Sequence, residues 1–162
     1  VGEAFDMNNY ELLIDEACKD GIETHELNFN SDRIKGLYCN GTIAINKRFT
    51  NVEKTCYMVE ELGHDKTSFG NILDFSNPEN KKQERQARLW GYNKLIGLDG
   101  LIKAFNAGCQ NRYEIAEFLE VTEEFLNECI ICYTQKYGIC VTHKNYTIYF
   151  IPFLTIGKNI ER

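Results

Sequence analysis

A chain of 162 residues is long enough for one hydrophobic core with at most a small appendage. Its 43% hydrophobic and 26% charged content is that of a globular protein, and no run of about 18 apolar residues is present to cross a membrane. A formal net charge of -6 argues against nucleic acid as a partner, because gripping a phosphate backbone needs a surplus of Lys and Arg on one face.

The N-terminus lacks the basic-then-apolar pattern of a secretion signal. Seven cysteines, an odd number, then read as reduced thiols of a cytoplasmic protein. From Asn8 to Cys18, Tyr10, Leu13, Ile14 and Ala17 recur at helical spacing before Gly21, which predicts an N-terminal amphipathic helix. Ile22 to Phe29 is expected to be extended. Ile34 to Tyr38 and Thr42 to Ile45 flank Asn40-Gly41, the strongest two-residue hairpin signal. Together these segments predict a small antiparallel sheet of about three strands, one edge of which could take up an extended peptide.

Thr50-Asn51-Val52-Glu53 has the pattern of a capping box and starts a helix that runs through Glu60 to His64. Val52, Cys56, Val59 and Leu62 form its expected buried stripe. Asp65 to Phe75 reads as a loop, and Asn77-Pro78 opens the next helix with Asn77 as cap and Pro78 in the first turn. Ala87 is small where a neighbouring helix could come close. Leu98 to Ala107, Asn111 to Leu119 and Thr122 to Tyr137 are further helices, the second capped by Asn111 with Glu114 three residues on. Ile139 to Thr142 and Tyr146 to Phe153 predict a terminal hairpin. Cys129-Ile130-Ile131-Cys132 has C-x-x-C spacing but lacks a second such pair, so a buried helix face is the better reading. The expected class is α+β, with a core over residues 7–108 and a helical region with a hairpin over 109–162, packed on that core.

The chemistry concentrates between Cys56 and His64. Residues four apart on a helix lie nearly one above the other, so Glu60 and His64 share a face. That is the geometry of the two ligands in H-E-x-x-H, the metalloprotease pattern whose second residue is the general base. In Glu60-Glu61-Leu62-Gly63-His64 the first histidine is replaced by Glu60, while Glu61 holds the base position and His64 the second ligand position. Glu84, one turn before Ala87, is the candidate third ligand. On their own, adjacent glutamates are more often a solvated helix face, and a histidine near a helix end often just faces the negative end of the dipole. Cys56 reads as core, and His25 and His143 as surface residues.

With the preceding hairpin and the Glu84-x-x-Ala87-x-x-Trp90-Gly91 helix, these residues resemble the phage and mobile-element branch of the ImmA/IrrE-type metallopeptidases, over roughly Asn8 to Phe153. The resemblance implies a zincin-like active-site helix packed on the small sheet, Glu61 as base, and His64 and Glu84 as metal ligands with Glu60 in place of the family's first histidine. It also implies a helix-turn-helix repressor as protein partner. Around a divalent zinc, two histidines and one glutamate leave a net charge of +1, whereas Glu60, His64 and Glu84 leave it near zero. Such a site polarises water less and shifts preference from zinc towards harder cations such as manganese.

Arg112 to Leu119 and Thr122 to Tyr137 also resemble a helix-turn-helix, with Glu120 at the place of the usual turn glycine. Glu123, Glu124 and Glu128 would meet phosphates where cations are needed, so a structural or protein-contact role is expected instead. Two functions follow. One is a metal-dependent endopeptidase that cleaves a repressor. The other is a weak or inactive protease-fold protein that regulates the repressor by binding it.

Overall fold

The first helix begins where Asn8 can cap it. In the computed structural model, which describes residues 6–67 and 78–160, the Asn8 side chain accepts from the Glu11 amide and the Glu11 carboxylate accepts from the Asn8 amide, each at 3.0 Å. This starts α1 (Asn9–Lys19), which buries Tyr10, Leu13 and Ala17. Gly21, at φ +77°, then turns the chain into β1 (Glu23–Leu27).

β2 (Gly36–Cys39) and β3 (Thr42–Asn46) form the expected antiparallel hairpin, with Asn40 and Gly41 both at positive φ as its tight turn requires. The sheet order is β1-β3-β2, and β1 lies parallel to β3, so the sheet is mixed and not antiparallel throughout. Composition explains the correction. Only β3 is apolar enough for the centre, with Ile43 and Ile45 fully buried, whereas the polar strand Glu23-Thr24-His25-Glu26-Leu27 is suited to an edge. Asn46 ends β3 as a buried amide, donating to the Ile34 carbonyl at 2.9 Å and accepting from the Arg48 amide at 3.2 Å.

α2 (Asn51–Thr67) opens on the expected capping box, with the Thr50 amide donating to Glu53 at 2.8 Å and the Glu53 amide to the Thr50 hydroxyl at 3.3 Å. Its inner face is Thr55, Cys56, Met58, Val59, Leu62 and Gly63. Val52, expected in that stripe, lies in the first turn and is exposed. Lys54 is buried as well, its ammonium donating to Glu26 of β1 at 3.0 Å and lying 5.6 Å from the centre of the Tyr10 ring. Asp65 to Thr67, expected in a loop, continue the helix. The remainder of that loop and the Asn77 cap lie outside the described residues.

α3 (Pro78–Leu95) starts at the expected proline. It meets α2 with almost no side chain between the two backbones. A Cβ on Gly63 would stand 2.9 Å from the Ala87 carbonyl carbon and closer still to its oxygen, and one on Gly91 would stand 3.2 Å from Val59 Cγ1.

The chain forms two compact units, Val1–Gly91 and Tyr92–Arg162, so the expected division after residue 108 falls inside the second. That unit holds the end of α3, then α4 (Gly97–Asn106), α5 (Arg112–Leu119), α6 (Glu123–Tyr137), β4 (Cys140–His143), β5 (Tyr146–Tyr149) and β6 (Thr155–Lys158). The strands form an antiparallel sheet in the order β4-β5-β6. The predicted hairpin thus gains a third strand, because Pro152 has no amide for the ladder and splits the last apolar run. Leu101, Leu126, Cys129, Tyr133 and Ile148 are fully buried, and the Tyr133 hydroxyl donates to Asn93 at 2.7 Å. Cys129 and Cys132 face this interior, neither of them in a disulfide. Glu120 takes the left-handed conformation (φ +54°) that glycine would otherwise supply between α5 and α6. The architecture is α+β, and no helix among the described residues is long and apolar enough to cross a membrane.

A methyl group at position 63 has no space to enter. Gly63→Ala is expected to cost about 1–3 kcal/mol of stability by overpacking, against about 1 kcal/mol for removing the α2 cap with Thr50→Ala. Denaturant unfolding of the two variants beside the parent checks the order.

Candidate metal centre

The close contact of Gly63 with Ala87 determines which side chains meet. Glu60 and His64 directly follow the contact positions Val59 and Gly63 on α2, Arg88 directly follows Ala87 on α3, and Glu84 stands one turn before Arg88. His64 Nε2 lies 3.3 Å from Glu84 Oε2. Arg88 Nε lies 3.0 Å from Glu84 Oε1 and 3.4 Å from Glu60 Oε1. The structure therefore brings two of the three sequence-predicted ligand residues, His64 and Glu84, together, while Glu60 is joined to them through Arg88.

Two of the three donors stand as a cation would need them. Ligands about 2.0–2.2 Å from a tetrahedral zinc are themselves roughly 3.3 Å apart, which is the separation of His64 Nε2 and Glu84 Oε2. His64 Nδ1 is buried with no hydrogen-bond partner among the described residues, an orphan more usual at a functional site than in a finished core. The third donor is not in position. Glu60 is drawn to Arg88, and among the described residues no three His, Cys, Asp or Glu side chains are gathered to hold a metal ion. The donor chemistry fits a divalent ion, and its arrangement is two-thirds assembled.

Glu61, next along α2, points towards β2. Its carboxylate accepts a hydrogen bond from the Tyr38 backbone, and its side chain would lie 3.1 Å from any Cβ at Gly36. Burial, followed by the nearby charges of Glu60 and Glu84, pushes its pKa from the ordinary 4.5 up to about 7, while the Tyr38 bond pulls the other way. A carboxyl group so placed can take a proton near neutral pH. One residue beyond His64, Asp65 accepts from the Tyr38 hydroxyl at 2.7 Å, tying the end of α2 to the same strand.

Cys56 is in the core, as expected. His25 pairs with Glu23 at 3.6 Å on β1, and His143 with Asp99 at 3.0 Å in the second unit. Sequence reasoning missed Arg88, Gly36 and the Tyr38–Asp65 bond. The first was readable, because Glu84 and Arg88 have the spacing of a helical ion pair. A glycine opening a strand hints at close approach without saying to what.

Two expectations follow from Glu61. Gly36→Ala should displace its carboxylate and return its titration towards 4.5, read by carboxyl-region NMR of the labelled protein. Folded Glu61 keeps its proton to about pH 7 and unfolded Glu61 only to about 4.5, so between those values the folded state binds more protons. In the presence of chelator, stability should fall as pH rises through that window, and Glu61→Gln should flatten the decline. Denaturant midpoints across the range measure it.

A family model described as the IrrE N-terminal-like domain, of a peptidase family, matches residues 17–130. No curated protein and no solved structure matches the chain. The match covers well over half the sequence and includes both helices of the seam, with Glu60, Glu61, His64 and Glu84. The chain therefore belongs to the IrrE N-terminal-like family of zincin-like peptidases.

Proposed function

We propose that this protein is a metal-dependent endopeptidase whose substrate is a helix-turn-helix repressor of a phage or mobile element. The observation that carries the reading is the meeting of His64 and Glu84 from separate helices at ligand spacing, with Glu61 held against β2 beside them. Glu60, His64 and Glu84 would hold the ion, zinc or manganese. When bound, it polarises the peptide carbonyl and makes water more acidic.

The remaining steps belong to the chain's own side chains. Glu61 takes the proton of the attacking water and passes it to the leaving amine, a transfer suited to a carboxyl group poised near neutrality. The bond from the Tyr38 backbone and the small Gly36 hold that carboxylate in place. Among the described residues β2 has a neighbour, β3, on one side only, so its outer edge can align an extended peptide by strand pairing.

A second reading is favoured by Arg88, which engages both ligand carboxylates, and by Glu60 itself. In it the protein docks a repressor without cutting it. Co-expression with a helix-turn-helix repressor from the same genome separates the two. Under the first, the parent yields repressor fragments and Glu61→Gln reduces the rate by about a hundredfold or more. Under the second, both proteins capture the repressor intact, and no fragment appears with either.

A further inference from the structure

Arg88 is unaccounted for by the metal-centre reading. It stands one turn after Glu84, and a pair at that spacing needs no further partner. Yet Arg88 Nε also reaches across the seam to Glu60 Oε1 at 3.4 Å while lying 3.0 Å from Glu84 Oε1. The other oxygen of Glu84 faces His64 at 3.3 Å. One guanidinium thus holds the carboxylates that two helices present to the ligand position.

That position needs positive charge whether or not a metal is there. Glu60 Oε1 and Glu84 Oε1 lie 3.4 Å and 3.0 Å from the same guanidinium nitrogen, so the two carboxylates are close neighbours. Like charges so grouped repel, and a cation among them relieves the repulsion. A divalent ion does this, and so does a guanidinium, which stays charged at every accessible pH. Both would draw on the same two carboxylates, Arg88 through one oxygen of each, and two cations that close repel one another. Arg88 is 47% exposed, so its side chain has open solvent to move into.

Resting on the metal-centre reading, we infer that Arg88 is the resident cation of the site. Its guanidinium occupies the carboxylates of Glu60 and Glu84 in the metal-free protein and is exchanged for the metal ion on loading. Metal binding is then a replacement of one cation by another. Arg88 lowers the affinity for the ion and keeps the empty site neutralised.

Zinc affinity, measured by competition with a chromophoric chelator, tests this on the parent, Arg88→Gln and Arg88→Lys. Arg88→Gln is expected to bind zinc at least about tenfold more tightly than the parent, since a charge that opposes the ion has gone. Arg88→Lys, which keeps the charge, should stay within about threefold of the parent. With chelator present Arg88→Gln should melt below the parent, and added zinc should close the gap. Equal stoichiometric binding by the parent and Arg88→Gln overturns the inference and leaves the metal centre standing. Folded protein that takes up no zinc in any of the three overturns both. The parent alone also decides the matter should Arg88→Gln fail to fold. Its Arg88 Nε–H signal, identified by its absence from Arg88→Lys, is expected to move as zinc is added, and a signal unmoved while zinc binds overturns the exchange.

Discussion

At the crossing of α2 and α3 the largest group that position 63 admits is a hydrogen atom. The Ala87 backbone lies against it, and Val59 fits Gly91 one turn away in the same manner. Close-packed interiors do not yield to an extra methyl, so this pair of contacts fixes the axial register of one helix on the other. Register is what the chemistry needs. A slide by one residue would turn Glu60 and His64 away from Glu84 and leave four charged or polar side chains on unrelated faces. The small residues perform no reaction, but the reacting ones have no common place without them.

Given that register, electrostatics explains the rest of the seam. Three glutamates and one imidazole lie along this seam, and the glutamate at position 60 makes the group more acidic than a histidine there would. The structure balances the excess in two ways. Arg88 lies between two of the carboxylates, and Glu61, the most enclosed of the acids, stays protonated up to about pH 7. Both responses come from the same repulsion, one by adding charge and the other by removing it.

Much of this was legible in the sequence because the signals were local. The Thr50–Glu53 box, the Asn40-Gly41 turn, the Pro78 helix start and the i,i+4 placement of Glu60 and His64 each depend on a few adjacent residues, and each appears where the spacing put it. Their convergence with Glu84 was anticipated through family likeness, since nothing local says which face of a distant helix will be opposite. What escaped was non-local. The parallel pairing of β1 with β3 depends on which of three strands wins the sheet centre, a comparison no single segment contains. Arg88 went unread because its second partner is on another helix. The third strand Thr155–Lys158 was hidden by reading through Pro152.

His64 is anchored on both sides. Gly63 before it is wedged against Ala87, and Asp65 after it is tied to the Tyr38 hydroxyl. The main chain carrying the imidazole therefore has little room for adjustment, whereas Glu60 and Glu84 each keep three side-chain torsions between backbone and oxygen. In the metal centre we propose, any difference in radius between one ion and another would be absorbed by the acids. Discrimination by size would then belong to the two glutamates, with the histidine as the fixed point from which they measure.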